Sequence, residues 1–235
     1  MVDIINIEEL YKSKVLAIWN DFNTIPVLNE LDREYRKSPI LPKIVIKDSI
    51  LFVGCNPSFR LGTVIEEDNK AIEFYSLNDD QKDRYFDKFK RIATYCDNSK
   101  WSHIDLIFMR ETKQELVADI TYTNVDFIKR QLEIAFEIIS KSNPRVLVVT
   151  DSLSSEFFGK KKAIKHDKFE KIWKGFDLDF DLNFDVEIGA YWVEINGKRT
   201  PIVFSGMLSG QRAMDIGSYE RLMWQIKFIL KKACA

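Results

Sequence analysis

Ile50-Leu51-Phe52-Val53-Gly54-Cys55-Asn56-Pro57-Ser58-Phe59-Arg60 decides how the chain is read. Four apolar residues run into a glycine and then into a polar turn. A short apolar run bounded by turn signals predicts a strand buried on both faces. Pro57 biases Asn56 away from helical backbone, so a strand over residues 49–54 stops abruptly and presents Asn56 at its carboxyl end. In open α/β sheets that end is where ligands bind. Taken alone, the stretch also fits an ordinary strand exit whose asparagine bonds its own backbone.

Outward from it, apolar runs at residues 103–109, 145–150 and 202–204 predict three further strands. Residues 7–22, 81–96, 124–141 and 216–232 carry helical apolar spacing, and Asn143-Pro144 stops the third of these helices. Asp151-Ser152 caps a short helix reaching Phe158, which Gly159 ends. Apolar strands separated by helices predict an α/β protein, with a mainly parallel sheet covered on both sides in three α/β/α layers. Residues 23–47 hold three prolines and read as irregular connection around a short helix at 29–36. Residues 1–47 are therefore expected to form an N-terminal helical extension of a single domain covering 1–235. Residues 59–80 read as a loop long enough to suspect function, and residues 160–175 as a basic loop followed by a helix.

Residues 176–188 alternate Phe, Leu, Val or Ile with Asp, Asn or Glu. That period of two predicts an extended segment, bent near Leu182-Asn183, with buried phenylalanines and solvated aspartates. A calcium loop is a poor fit, because Leu182 stands where glycine is needed. Taking the five acids of this segment out of the chain's net charge of −1 leaves +4, so the acidic face is expected to point away from any nucleic acid.

The 235 residues, 46% of them hydrophobic, suit one sizeable core. A net charge of −1 provides no global field toward nucleic acid or membrane. Three scattered cysteines and two histidines make neither a disulfide framework nor metal-ligand spacing. There is no basic segment followed by an apolar run at the start, and no apolar stretch approaching the ~20 residues of a membrane helix. The expectation is a monomeric cytoplasmic protein with no metal, cofactor or membrane partner.

Gly54-Cys55-Asn56-Pro57-Ser58 at the end of a buried strand resembles the first motif of the uracil-DNA glycosylase superfamily, in its mismatch-specific and single-strand-selective branches. That superfamily has a second motif after its last strand, His-Pro-Ser or Asn-Pro-Ser-Gly. Here residues 202–204 lead into Ser205-Gly206-Met207-Leu208-Ser209-Gly210-Gln211-Arg212, with Ser209-Gly210 in the Ser-Gly place and Met207-Leu208 departing from the pattern. The iron–sulfur branches need four cluster cysteines and are set aside.

The resemblance implies a DNA glycosylase that hydrolyses the N-glycosidic bond of a damaged or unusual base flipped from DNA. It implies Asn56 and Ser209 as catalytic residues: Asn56 holds the attacking water through its side-chain carbonyl, and the backbone N–H groups of residues 208–211 stabilise the departing base. Cys55, Phe59, Phe74, Tyr75 and Asp105 are the candidates for the base. A carboxylate at Asp105 accepts hydrogen bonds and suits N–H donors, although a strand-end bond to backbone fits it as well. Ser58, Arg60, Ser152, Ser154, Gly210, Gln211 and Arg212 are the candidates for the DNA backbone, with Arg110 a further cation in reach. Without a donor at Met207 the enzyme is expected to be slow or to need a better leaving group. The alternative is a binding module of the same fold that holds nucleic acid or nucleotide without cleaving it. An α/β hydrolase is disfavoured, because the chain lacks a Gly-x-Ser-x-Gly elbow.

Overall fold

A computed structural model describes residues 2–59, 72–77, 84–97, 99–160, 178–179, 183–210 and 213–233. In chain order the elements are β1 (Ile4–Asn6), α1 (Ile7–Asp21), β2 (Ile40–Pro42), β3 (Ile44–Ile46), β4 (Ile50–Gly54), β5 (Glu73–Tyr75), α2 (Asp87–Tyr95) and β6 (Trp101–Asp105). There follow α3 (Gln114–Thr123), α4 (Val125–Ser142), β7 (Val146–Val149), α5 (Ser152–Ser155), β8 (Gly159–Lys160), β9 (Leu178–Asp179), β10 (Phe184–Asp185), β11 (Ala190–Ile195), β12 (Lys198–Phe204) and α6 (Ile216–Ala233).

The main sheet has six strands in the order β10-β11-β12-β7-β4-β6. The four strands β12, β7, β4 and β6 are parallel, whereas β11 and β10 return antiparallel at one edge. Strand alternation divides the core in two. Leu51, Val53, Leu147 and Val149 face a cluster that includes residues of α1, α3 and α4. Ile50, Phe52, Val146 and Val148 face the opposite cluster, formed with α2 and α6. Both faces of β4 and β7 are thus buried, which is why their sequence is uniformly apolar rather than alternating.

The helix expectations hold at 7–22 and 124–141, and α6 fills the last. Other expectations change. The second strand run ends at Asp105 rather than continuing to residue 109. Leu106 to Met109 are fully buried without being strand, because Gln131 of α4 reaches in and its Oε1 accepts from the N–H groups of Phe108 (2.9 Å) and Met109 (3.2 Å). Burial without a ladder reads like a strand in sequence. The loop read over 59–80 contains β5, paired parallel with β2, and the irregular connection over 23–47 contains β2 and β3. β3 pairs with β1, and α1 shares the main cluster with β4, so the segment read as an N-terminal extension is built into the core.

Residues 184–188 correct the alternating-strand reading. After β10 the chain turns, because Asp185 Oδ1 accepts from Glu187 N at 2.9 Å and Ile188 N at 3.4 Å, and Gly189 takes φ +64°. Phe184 is 44% exposed and Val186 83% exposed, contrary to the expected buried face. A local side-chain cap has overridden the period-two pattern. Phe180 and most of 160–182 lie outside the described residues.

Candidate active site

The strand order places the first, second, third and fourth parallel strands of the chain in the order 2-1-3-4. Between β4 and β7 the connections diverge to opposite sides, so the carboxyl ends of these two strands are the topological switch point, where open sheets bind ligands. The loop after β4 leaves from this point and is held by the loop after β6. Leu106 N donates to Gly54 O (3.1 Å), Ile107 N to Cys55 O (2.9 Å), Glu111 N to Pro57 O (3.0 Å), and Thr112 Oγ1 to Phe59 O (2.8 Å).

Asn56 sits half-buried in that double loop. Its Nδ2 donates to Glu111 O at 2.7 Å and to Pro57 O at 3.1 Å. Both amide hydrogens are used, so the side chain has one orientation. Its Oδ1 accepts no hydrogen bond among the described residues.

Glu111, which supplies that carbonyl, is anchored by a buried ion pair. Its Oε2 receives Arg36 Nη2 at 2.5 Å and Arg33 Nη1 at 3.0 Å, and its Oε1 receives Thr112 N (2.8 Å) and Lys113 N (3.0 Å). Burial would raise its carboxyl, but the Lys113 N–H and the two guanidinium groups outweigh burial and hold it below the ordinary range.

Next to Asn56, Gly54 pairs with Asp105 across β4 and β6. A Cβ at Gly54 would collide with Asp105 Oδ1 and lie 3.2 Å from His103 Nε2, so glycine is what admits these two side chains. Asp105 is 7% exposed and has no hydrogen-bond partner among the described residues; His103 Nε2 lies 3.9 Å from its Oδ1. Burial, with the Asp151 carboxylate nearby, raises Asp105 to about 7. Burial lowers His103 to about 3, and its Nδ1 shares a 2.9 Å hydrogen bond with Tyr75 Oη. Tyr75 itself is pushed well up by burial, then by Asp105 and Tyr85. Burial, then Asp151 and Asp105, pushes the Cys55 thiol well up, so it is neutral.

The two buried groups pull stability in opposite directions. Asp105 binds more proton folded than unfolded between 3.8 and about 7, so its contribution falls as pH rises through that window. His103 binds less proton folded than unfolded between about 3 and 6.5, so its contribution rises with pH there. Asp105→Asn removes the first slope. The melting temperature of that variant is expected to climb from pH 4 to about 6.5 more steeply than that of the wild type. Parallel profiles in thermal melts across this range would show that Asp105 does not titrate there.

The second motif reaches the same edge. Ser209 Oγ donates to Tyr85 O at 2.6 Å, and the Tyr85 ring meets the His103 ring edge-on at 6.2 Å between centroids. The turn after β12 therefore crosses to the β6 side and brings residues 207–210 to the end of the sheet that carries Asn56. Gly210 takes φ +93°, which the turn needs. The N–H groups of Leu208, Ser209 and Gly210 donate to no backbone carbonyl among the described residues.

Several candidates take different places. Ser209 Oγ donates its proton to Tyr85 O, which ties down the turn. Leu208 is a core residue, 1% exposed. Cys55 and Ser154 are buried, and Ser154 cannot meet a DNA backbone. Arg110 is buried too, with Nε on Ser38 O (3.0 Å) and Nη2 on Glu73. Phe74 packs onto the core, while Tyr75 points to His103. Phe59 stacks on Tyr35, with centroids 4.3 Å apart and planes at 4°. Ser58 and Ser152 are exposed. Arg60, Gln211 and Arg212 lie outside the described residues. Sequence reasoning did not assign Glu111 or Arg36 to the site, and nothing local marks an ion pair that joins positions 75 residues apart.

Fold and site define an α/β protein with a mostly parallel sheet and with Asn56, Asp105 and His103 gathered near its switch point. No family model matches the chain, and no curated protein matches it in sequence. Among the described residues no helix is long and apolar enough to cross a membrane, and no group of three or more His, Cys, Asp or Glu is placed to hold a metal ion.

Proposed function

We propose that this chain is a DNA glycosylase-like hydrolase of the uracil-DNA glycosylase kind, acting on a damaged or unusual base flipped out of DNA. The observation that carries the reading is Asn56 at the switch point, whose amide hydrogens are both held by carbonyls while Oδ1 accepts no hydrogen bond among the described residues. An acceptor so fixed positions a water for attack on C1′ without serving as a base. The leaving base departs as an anion toward the N–H groups of residues 208–210. Asp105, nine-tenths buried and unpartnered, faces the base edge. At neutral pH it is divided between a donor and an acceptor form. Met207 offers no donor to the leaving group, which suits a base that leaves readily.

The test is incubation with a panel of oligonucleotides carrying modified bases, followed by alkali to reveal abasic sites. Strand scission at one lesion is expected. Met207→His is expected to raise the rate, by about tenfold or more, because it restores a donor beside the leaving group; an unchanged rate would place residue 207 away from the base. The commitment of the Ser209 proton to Tyr85 O favours a second reading, a binding module that holds a nucleotide without cleaving it. Binding with no scission at any lesion decides for that reading.

A further inference from the structure

Trp224 and Phe228 lie one turn apart on α6 and stack, with centroids 5.2 Å apart and planes at 13°. Phe228 packs on the core, whereas Trp224 is 57% exposed. The indole is thus a large apolar surface that the fold leaves uncovered and already holds in one orientation, so little side-chain freedom remains to be lost on binding. Two helical turns further on, about 10 Å along the axis, Lys231 enters a cavity of about 240 Å³. Arg145 and Lys227 also line it, against the single carboxylate of Asp97. Lys227 Nζ pairs with Asp97 Oδ1 at 2.7 Å, so that charge is spoken for. Arg145 has no side-chain hydrogen bond or ion pair among the described residues. The surface therefore combines an anchored aromatic face with excess positive charge in a recess.

Arg145 immediately precedes β7, and Lys231 is in the last turn of α6. The cavity accordingly lies at the amino end of the sheet, the end opposite Asn56, with the length of a β4-sized strand, about 17 Å, between them.

We propose that the Trp224–Phe228 stack and the Arg145–Lys231 cavity form a binding site for a single-stranded nucleic-acid segment, with a base on the indole and a phosphate in the cavity. Stacking against an aromatic side chain beside a cationic groove is how single strands are held without sequence preference. A second copy of the chain fits poorly. Two α6 helices paired antiparallel about the aromatics would set Arg221 and Glu220 of one against Lys231 and Lys232 of the other, three cations against a single acid. The site is independent of the reaction proposed at Asn56.

The experiment is fluorescence anisotropy of a labelled oligothymidylate with the full chain across a salt series. Trp224→Ala is expected to weaken binding about tenfold, and Lys231→Glu to weaken it and to flatten the logarithmic salt dependence by about 0.7. Both side chains are at the surface, and circular dichroism checks the fold. Wild-type affinity in both Trp224→Ala and Lys231→Glu overturns the proposal. So does a preference for phosphatidylserine vesicles over oligonucleotide, or a dimer in sedimentation that Trp224→Ala dissociates.

Discussion

Asn56→Ala is expected to lower base release by about 10²–10³-fold, the loss typical of removing one positioned polar group from a hydrolytic site. DNA affinity should change little, since a side chain that holds only water contributes little to ground-state binding. Single-turnover cleavage and equilibrium binding, measured on the same oligonucleotide, separate the two quantities. Asn56→Asp is a sharper version. It keeps the shape but replaces the Nδ2 donors, so a carboxylate oxygen would face the carbonyls of Glu111 and Pro57 that now accept at 2.7 and 3.1 Å. Repulsion turns the side chain or raises its pKa, and the aspartate variant should be as impaired as the alanine one. Cleavage at the wild-type rate in both variants would remove Asn56 from the mechanism.

The second large effect concerns stability. Glu111→Ala leaves the fully buried Arg36 guanidinium without its main partner, although Nη1 still reaches Val27 O at 3.0 Å and Glu30 at 2.9 Å. Removing one side of a buried pair costs about 3–5 kcal/mol, and the remaining Glu30 contact argues for the lower end. For a chain of this size that corresponds to a fall in melting temperature of about 6–12 °C. Pairing the change with Arg36→Met should recover part of the loss, because an apolar pair carries no uncompensated charge. The pH dependence has a definite sign. The Glu111 carboxyl is held below its ordinary value of 4.5 in the fold, so its stabilisation is complete above that value and is lost as pH falls through the folded pKa. Wild-type stability in Glu111→Ala would mean that the ion pair does not support the loop. If only stability changed and cleavage kept its rate, Asn56 would not depend on the Glu111 loop.

The same residues show how far sequence reading reaches. β4, β7, α1, α4 and α6 are legible because burial on one or two faces imposes a periodicity that local sequence must carry. The Asp151 cap is legible for a similar reason, since its Oδ1 accepts from Leu153 N and Ser154 N, two and three residues on. β1, β2, β3 and β11 are not, being short or half-exposed strands whose pairing partners lie far along the chain. Leu106 to Met109 mislead, because apolarity reports burial: the loop after β4 takes the N–H groups of Leu106 and Ile107, and Gln131 takes those of Phe108 and Met109. Residues 184–188 mislead in the other direction, since one aspartate cap redirects a segment whose alternation promised a strand.

What the sequence by itself determined is the layered α/β class, the buried strand that ends at Gly54, and Asn56 at its carboxyl end, because strand burial and proline stereochemistry act over a few residues. Only the tertiary structure decided which way the Asn56 amide faces, that Asp105 lies unpartnered beside His103, that Ser209 is spent on Tyr85 O, and that Arg36 and Glu111 hold the loop. Each of these depends on a hydrogen bond or a charge brought together by strand order across tens of residues. Their energies come from desolvation and geometry that exist only once the chain has closed around them.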